Sequence, residues 1–511
     1  MNDCRRTAAR LCLALLFTFP AISLPASAEG IRNASTGIAY DTLTAAIDKA
    51  RAGDTIEVSG GVHRGNFSIQ VPLTLRGIPE GGNRPVLDGN GNGTVLVVQA
   101  PGTTVENIAV VNSGRETDPF LYWGAAGIRA EADNVTLRAV EVRDNDRGIL
   151  MLGGQGSVVE SSEVTGNHHA GIQILGGRKH RITGNTVNGN GTGILVDMLH
   201  RERRSLLDRA TDPEAVARMA LDQKTAIRSE DIMVSDNEVR GNAAMGIAAH
   251  WYARRVSILS NTVHLTGIER KPDMAMIERV EREVTAGLGG KAVAKVNPEG
   301  IGTGIHLFCY VEDSRVENNS SYDNAGSGIG MVAVNTIRVS SNRIAGNRAG
   351  IAIESSGRNH VESNTVTDNA EYGIRIGSPA PLSGQSSGNV LARNDITGSR
   401  MNAFDNSGRA PAVDDMDAII EALPLPEQVK QQMRTSKAAR EMYLKAMRDA
   451  YKPGSNAWDD GQHGNRYGDF DEPEEGFADR NGDGISEAHH AIPGGTSVDR
   501  FPVAADHVTR R

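Results

Sequence analysis

Asn185-Thr186-Val187-Asn188-Gly189-Asn190-Gly191-Thr192-Gly193-Ile194 is the phrase on which the fold turns. Its skeleton is an Asn, a second Asn five residues on, and then Gly-Ile. Asn237 and Asn242 lead in the same way to Gly246-Ile247, and Asn319 and Asn324 to Gly328-Ile329. Asn342 and Asn347 lead to Gly350-Ile351, and Asn364 and Asn369 to Gly373-Ile374. Earlier copies end in Gly127-Ile128, Gly148-Ile149 and Gly171-Ile172. Where nothing is inserted, these Gly-Ile pairs fall 21 to 23 residues apart.

That period suits a coil of three short strands separated by tight turns. One coil cannot bury its apolar residues, but stacked coils share a continuous inner column. Asn at a fixed corner forms ladders and tolerates left-handed backbone, and Gly is expected to supply the remaining strained corners. Strands stack roughly 4.8 Å apart, so about ten coils make a rod near 50 Å long. The expected class is all-β, a right-handed parallel β-helix. An antiparallel sandwich would show hairpin turns instead of a ladder of identical corners.

Composition agrees with a single rod. The 511 residues include 58 Gly, with 39% hydrophobic and only 4% aromatic residues, which excludes a collagen triplet and global disorder. A net charge of -9 gives no overall pull toward nucleic acid. No internal apolar run is long enough to span a bilayer. Residues 1–28 read as a secretory signal: Arg5, Arg6 and Arg10 precede an apolar run to Leu24, and Ala26-Ser27-Ala28 closes it. Its removal takes Cys4 and Cys12 and leaves Cys309 alone, so the exported chain has no internal disulfide. Cys309 is expected to point inward as a small buried residue. The expectation is a periplasmic or secreted monomer.

The rod itself spans 29–410. Thr42 to Arg51 has helical spacing and is expected to cap its front, where strand edges would otherwise lie open. Two helical insertions interrupt it, at 198–229 and 267–302. Thr211-Asp212-Pro213-Glu214 forms a capping box in the first, and Pro272 opens the second, with Ile277, Val280 and Val284 on one side. A helical segment, 411–453, broken at Pro424 and Pro426, is expected over the last coils. An Asp/Gly-rich tail, 454–511, follows.

Side-chain alternation on the Gly-Ile strand places Ile inward and its neighbour outward. The first outward position reads Arg129, Leu150, Gln173, Leu195, Ala248, His306, Gly330, Ala352 and Arg375. The second reads Glu131, Leu152, Leu175, Asp197, His250, Phe308, Val332, Glu354 and Gly377. Asp197, His250 and His306 thus fall on three consecutive coils between the insertions, with Tyr252 and Tyr310 just beyond. In a proton-transfer site His250 or His306 is base or acid, Asp197 orients it, and Tyr252 or Tyr310 assists. Arg129, Arg201, Arg254 and Arg375 offer cations for an acidic glycan, and Trp251 a stacking face. The same acid and imidazole groups also suit a metal. Against both stands the run of outward Leu150, Leu152, Leu175, Leu195 and Phe308, which indicates a covered face. Asp197 and His250 would then be a buried hydrogen-bonded pair anchoring the insertions. His168-His169 sits at a corner and reads as a solvated turn.

A sharper pattern lies in the tail. Asp479-Arg480-Asn481-Gly482-Asp483-Gly484-Ile485-Ser486-Glu487 sets oxygen ligands at positions 1, 3, 5 and 9, with the Ile485 carbonyl at 7. Gly484 follows the third ligand, as a calcium loop requires. His490 stands where a bidentate Glu usually sits, so Asp499 or Asp471 is expected to complete a structural Ca²⁺ shell.

The segment Leu43 to Gly77, the repeats, and the tail phrases resemble the periplasmic β-helix proteins related to NosD, a nitrous oxide reductase maturation factor. Those phrases are Asn456-Ala457-Trp458-Asp459-Asp460-Gly461, Gly464-Asn465-Arg466-Tyr467 and Ile492-Pro493-Gly494-Gly495. The chain is also similar to the wider class of carbohydrate-binding and sugar-hydrolase β-helices. The resemblance implies the parallel β-helix, and sugar-acting members include lyases, hydrolases and epimerases. Three functions follow: an enzyme acting on a polysaccharide or oligosaccharide along the outer groove, a NosD-like maturation or copper-handling factor, and a non-catalytic glycan-binding β-helix.

Overall fold

The computed structural model describes residues 30–115, 124–200, 226–272, 300–377, 386–410, 416–417, 420, 427–450 and 453–505. Three long sheets, here A, B and C, carry 14, 13 and 12 strands among the described residues. Each coil visits them in turn. Val158–Glu160 lies in A, Glu163–Thr165 in B and Ala170–Leu175 in C. The next coil repeats the path with Arg181–Thr183, Thr186–Asn188 and Thr192–Asp197. Pairing is parallel and in register, so Val159 faces Ile182, Val164 faces Val187 and Ile172 faces Ile194. The fold is all-β and a parallel β-helix, with twelve strands in sheet C rather than about ten.

The inner column is as the alternation requires. Ile128, Ile149, Ile172, Ile194, Ile247, Ile305, Ile329, Ile351 and Ile374 are all fully buried in C. Such stacking gives each apolar residue identical neighbours above and below, and Ile truncated to Ala there costs about 2–5 kcal/mol. The Asn corners are ladders in fact. Asn190 Oδ1 accepts from Asn167 N and Nδ2 at 3.0 and 2.9 Å, and Asn190 Nδ2 donates to Asn242 Oδ1 at 3.1 Å. A second ladder joins Asn185, Asn237, Asn261 and Asn319.

These ladders explain the Gly of Gly-Ile, which is a matter of space and not of backbone strain. A Cβ on Gly171 would lie 2.8 Å from Asn190 Nδ2 and 2.9 Å from the Gly193 carbonyl oxygen. The Asn amide fills the space a side chain would need. Positive φ belongs instead to other corner residues, such as Gly184 and Gly189.

At the front, helix α1 (Leu43–Lys49) is capped by Thr42, whose Oγ1 accepts from Ala45 N, and buries Leu43, Ala46 and Ile47. The hairpin Ile31–Asn33 and Ile38–Tyr40 pairs antiparallel with Thr55–Ser59 and covers that edge. At the back, the acidic tail joins the rod. Asn465 accepts from Asn394 and extends the second ladder, and Arg466–Tyr467 adds a strand to sheet B. Trp458 Nε1 donates to Asp405 Oδ2, closing the last coil. Helices α2 (Glu427–Thr435) and α3 (Lys437–Ala450) contribute Met433 and Leu444 to an apolar cluster with Met416 and Ile420. The signal segment and the helical parts of both insertions lie outside the described residues. From the first insertion, the ribbon Leu199–His200 with Ala226–Ile227 is described. Among the described residues, no helix is long and apolar enough to cross a membrane.

Candidate functional site

The outer face of sheet C carries the candidate groups. Ala248 pairs with His306 and His250 with Phe308, so the two histidines sit diagonally on adjacent coils. Their rings meet nearly at right angles, and His250 Nε2 lies 3.1 Å from His306 Nδ1. Phe308 flanks both, 5.5 Å from the His250 ring and 5.6 Å from that of His306. The Trp251 ring packs edge-on against Phe308 at 5.7 Å.

Burial decides the charge of this pair. His306 is 3% exposed, and loss of hydration pushes its pKa down to about 4. His250 is held well below its ordinary value by burial and by the neighbouring imidazole. Both rings are therefore neutral at neutral pH, and one ring donates to the other. Among the described residues, His306 Nε2 is buried and has no hydrogen-bond partner. It faces Gly300, where a Cβ would come within 3.4 Å of it. A buried orphan nitrogen costs about 1–3 kcal/mol.

Asp197 sits on the coil next to His250, yet its contacts run elsewhere. Its Oδ1 accepts from Met198 N at 2.7 Å, and its backbone oxygen accepts from Ser229 Oγ at 2.6 Å. Its charge raises the Cys309 thiol, with burial the larger cause, to about 12. The orienting partner of His250 is thus His306 rather than Asp197. Tyr252 and Tyr310 lie past the strand ends, in left-handed corners with φ of 60° and 62°. Their rings stack at 4.9 Å, and the Arg228 guanidinium lies 5.6 Å from the Tyr252 centroid. Burial raises the Tyr252 phenol, which stays protonated. Cys309, expected inward, begins this same corner with φ 55° and is half-buried.

The predicted cations do not gather here. Arg129 is five strands from His306 along the outward column, roughly 24 Å, and Arg375 is three strands away, roughly 14 Å. Arg129 Nε approaches Glu131 Oε1 to 2.7 Å without hydrogen-bond geometry. Arg375 is buried beside Tyr372. Arg254, in the corner that also holds Tyr252, is held by Asp313 at 2.6 Å. Arg201 lies outside the described residues. Leu150 and Leu175 point outward but are fully buried, in a satellite cluster with Leu152, Leu199 and Ala126.

The tail loop is built from Asx turns. Asp479 accepts from the N–H groups of Gly482 and Gly484, and Asp483 from that of Ile485. Glu487 accepts from Arg480 N, and Asn481 donates to Asp483. Neither residue expected to finish the shell is available: Asp471 pairs with Arg466, and Asp499 is buried against Asn465 and Tyr467. His490 packs on Tyr467 and Phe470.

Comparison with known proteins gives the following. Residues 292–413 match the family described as periplasmic copper-binding protein (NosD), and residues 86–202 match the right handed beta helix region. The chain is 31% identical over 126 residues to a probable ABC transporter binding protein NosD of Pseudomonas aeruginosa. That match covers 24% of this chain and spans 27% of the relative's length. Among solved structures, the Azotobacter vinelandii mannuronan C-5 epimerase AlgE4 A-module aligns with TM-score 0.47 and 14% identity, over 70% of this chain and 91% of that one. The periplasmic alginate epimerase AlgG gives 0.41 and 13%, over 68% and 80%. A lacto-N-biosidase from Eubacterium ramulus gives 0.42 and 13%, over 70% and 60%.

Proposed function

We propose that this NosD-like right-handed β-helix protein acts on an acidic glycan lying along the outer face of sheet C, by proton transfer rather than hydrolysis. The observation that carries the reading is the His250–His306 contact, with a spare nitrogen on His306 and the Phe308 ring packed against both imidazoles. In the tautomer protonated at Nδ1, His306 donates to His250 and keeps a free lone pair at Nε2. That nitrogen takes the proton from the carbon next to a uronate carboxylate, and the imidazolium so formed is held by the His250 acceptor. The low basicity of His306 slows this step, and a substrate carboxylate alongside raises it again. Proton return to the opposite face inverts the centre; loss of the glycosidic oxygen gives an unsaturated end. Tyr252, kept protonated, is the phenol for the donor role.

Hydrolysis fits the face less well. Glycosidases place two carboxyl groups about 5–9.5 Å apart. In the column of Asp197, the carboxylates nearest it among the described residues are Glu131 and Glu354, three and four strands away, roughly 14 and 19 Å. Incubation of the purified protein with polyuronates and neutral glycans tests the reading. Unsaturated products or inverted uronate centres from acidic chains alone support it; activity confined to neutral glycans refutes it.

A second reading, a maturation factor that handles copper in the periplasm, is favoured by the match of residues 292–413. It predicts copper uptake with no change in any glycan. An exported location suits both.

A further inference from the structure

We propose that Asp146, His168 and His169 form a binding site for a divalent transition-metal ion, with zinc as its simplest occupant. The three residues belong to the corner between sheets B and C on adjacent coils, away from His250 and His306. His168 Nδ1 lies 3.9 Å and His169 Nε2 3.7 Å from the same oxygen, Asp146 Oδ1. One ligand atom from each of the three falls within 4.8 Å of the others. The two rings stand edge to face, 4.9 Å apart and 86° between planes.

The corner makes this convergence possible. Within a strand, neighbouring side chains leave on opposite faces. His168 and His169 precede strand Ala170–Leu175, in the bend after Asn167, so both can turn toward one carboxylate. The Asn ladder fixes that bend to the coil before it. Asn145 N donates to Asn167 Oδ1, while His168 N and His169 N donate to the carbonyls of Asn145 and Asp146 at 2.9 and 2.8 Å. On the following coil Gly191 lies against the carbonyls of both histidines, where a Cβ would not fit.

The donor set selects the ion. Two imidazoles and one carboxylate suit zinc and its transition-metal neighbours and not calcium or magnesium, which take oxygen shells. Zinc bonds of about 2.0–2.1 Å in tetrahedral array put ligand atoms about 3.4 Å apart, so the two histidine-to-Asp146 spacings need to close by only a few tenths of an ångström, and rotation of the two rings brings their nitrogens together from within 4.8 Å. Asp146 is fully buried, and its other oxygen accepts from Arg147 Nη1 at 2.8 Å, which aims Oδ1 at the histidines. Arg147 is itself fixed by Gln173 at 3.0 Å. Such an outer partner orients a ligand carboxylate, at some cost in its donor strength. The imidazoles are 32% and 21% exposed, so the cluster lies at the edge of the rod and not in its core.

Calorimetric titration of the metal-stripped exported chain with zinc tests the site, with the cobalt(II) visible spectrum as a second readout. The expected result is one zinc equivalent whose affinity falls at least tenfold in His168→Ala/His169→Ala and in Asp146→Asn, with tetrahedral cobalt bands lost in both. His168→Gln, a milder change at the exposed ring, weakens zinc without altering the circular dichroism and covers the case in which the double variant misfolds. Thr365→Ala, at an exposed position of sheet B, leaves zinc affinity unchanged. Zinc binding of equal affinity in wild type and in His168→Gln, or no binding by the wild type, overturns the proposal. The outcome is independent of glycan activity.

Discussion

His250 Nε2 and His306 Nδ1, 56 residues apart in the chain, lie 3.1 Å apart on adjacent coils, because the second insertion leaves and rejoins the rod within one turn. Two neutral imidazoles in contact, His306 buried and His250 half-buried, make stability depend on pH. In the folded chain His306 titrates near 4 against an ordinary 6.5, so the unfolded chain binds more protons between those values. The stabilisation is whole above pH 6.5 and is lost as pH falls toward 4, at up to about 1.4 kcal/mol per pH unit for one group. Asp499, pushed up to about 6 by burial, acts in the opposite sense: its contribution is lost as pH rises through 6. His306→Leu is expected to flatten the fall in melting temperature between pH 7 and 5, and Asp499→Asn to steepen it. Parallel profiles in wild type and His306→Leu would contradict the assignment.

The Asn ladder predicts a cost that exposure alone would hide. Asn190 accepts from the coil before it and donates to Val164 O at 3.0 Å as well as to Asn242. Asn190→Ala leaves several buried groups without partners and is expected to destabilise by about 2–4 kcal/mol in urea unfolding. Thr365→Ala, at an exposed position of sheet B, should cost under about 0.5 kcal/mol.

Asp405 ties the tail to the rod. It is fully buried and accepts from Ser407 N, Trp458 Nε1 and Ser497 Oγ. Asp405→Ala orphans these donors, and a loss of about 3–5 kcal/mol is expected. Limited proteolysis should then cut first in the tail and the coils it closes. A detachable tail would instead leave the proteolysis of the rod unchanged.

Calcium at Asp479, Asn481, Asp483, Ile485 and Glu487 predicts that added Ca²⁺ raises the melting temperature of the wild type and leaves Asp483→Asn unmoved. Equal shifts in both proteins, or none in either, would refute that ligand set.

Much of the rod was legible because a repeat exposes its own register: one Asn-to-Gly-Ile phrase placed Ile inward and put His250 and His306 outward. The corners were not, since alternation stops where φ turns positive. Cys309 was therefore misplaced by a rule that holds only to Phe308. Asp146 and His168 are 22 residues apart and meet only through coil stacking; the signal was there in the period but masked by the appearance of a polar turn. The cations of the outer column share a face with the histidines, yet Arg254 is neutralised by Asp313 in a corner that no local pattern announces.

The central claim is proton transfer by the histidine pair. It is tested most directly by comparing wild type with His306→Gln and His250→Ala on a polyuronate, following unsaturated ends and uronate configuration. The account predicts a loss of at least a hundredfold in turnover for His306→Gln, and a smaller loss for His250→Ala, with folding and glycan binding retained. Undiminished turnover in His306→Gln would contradict it.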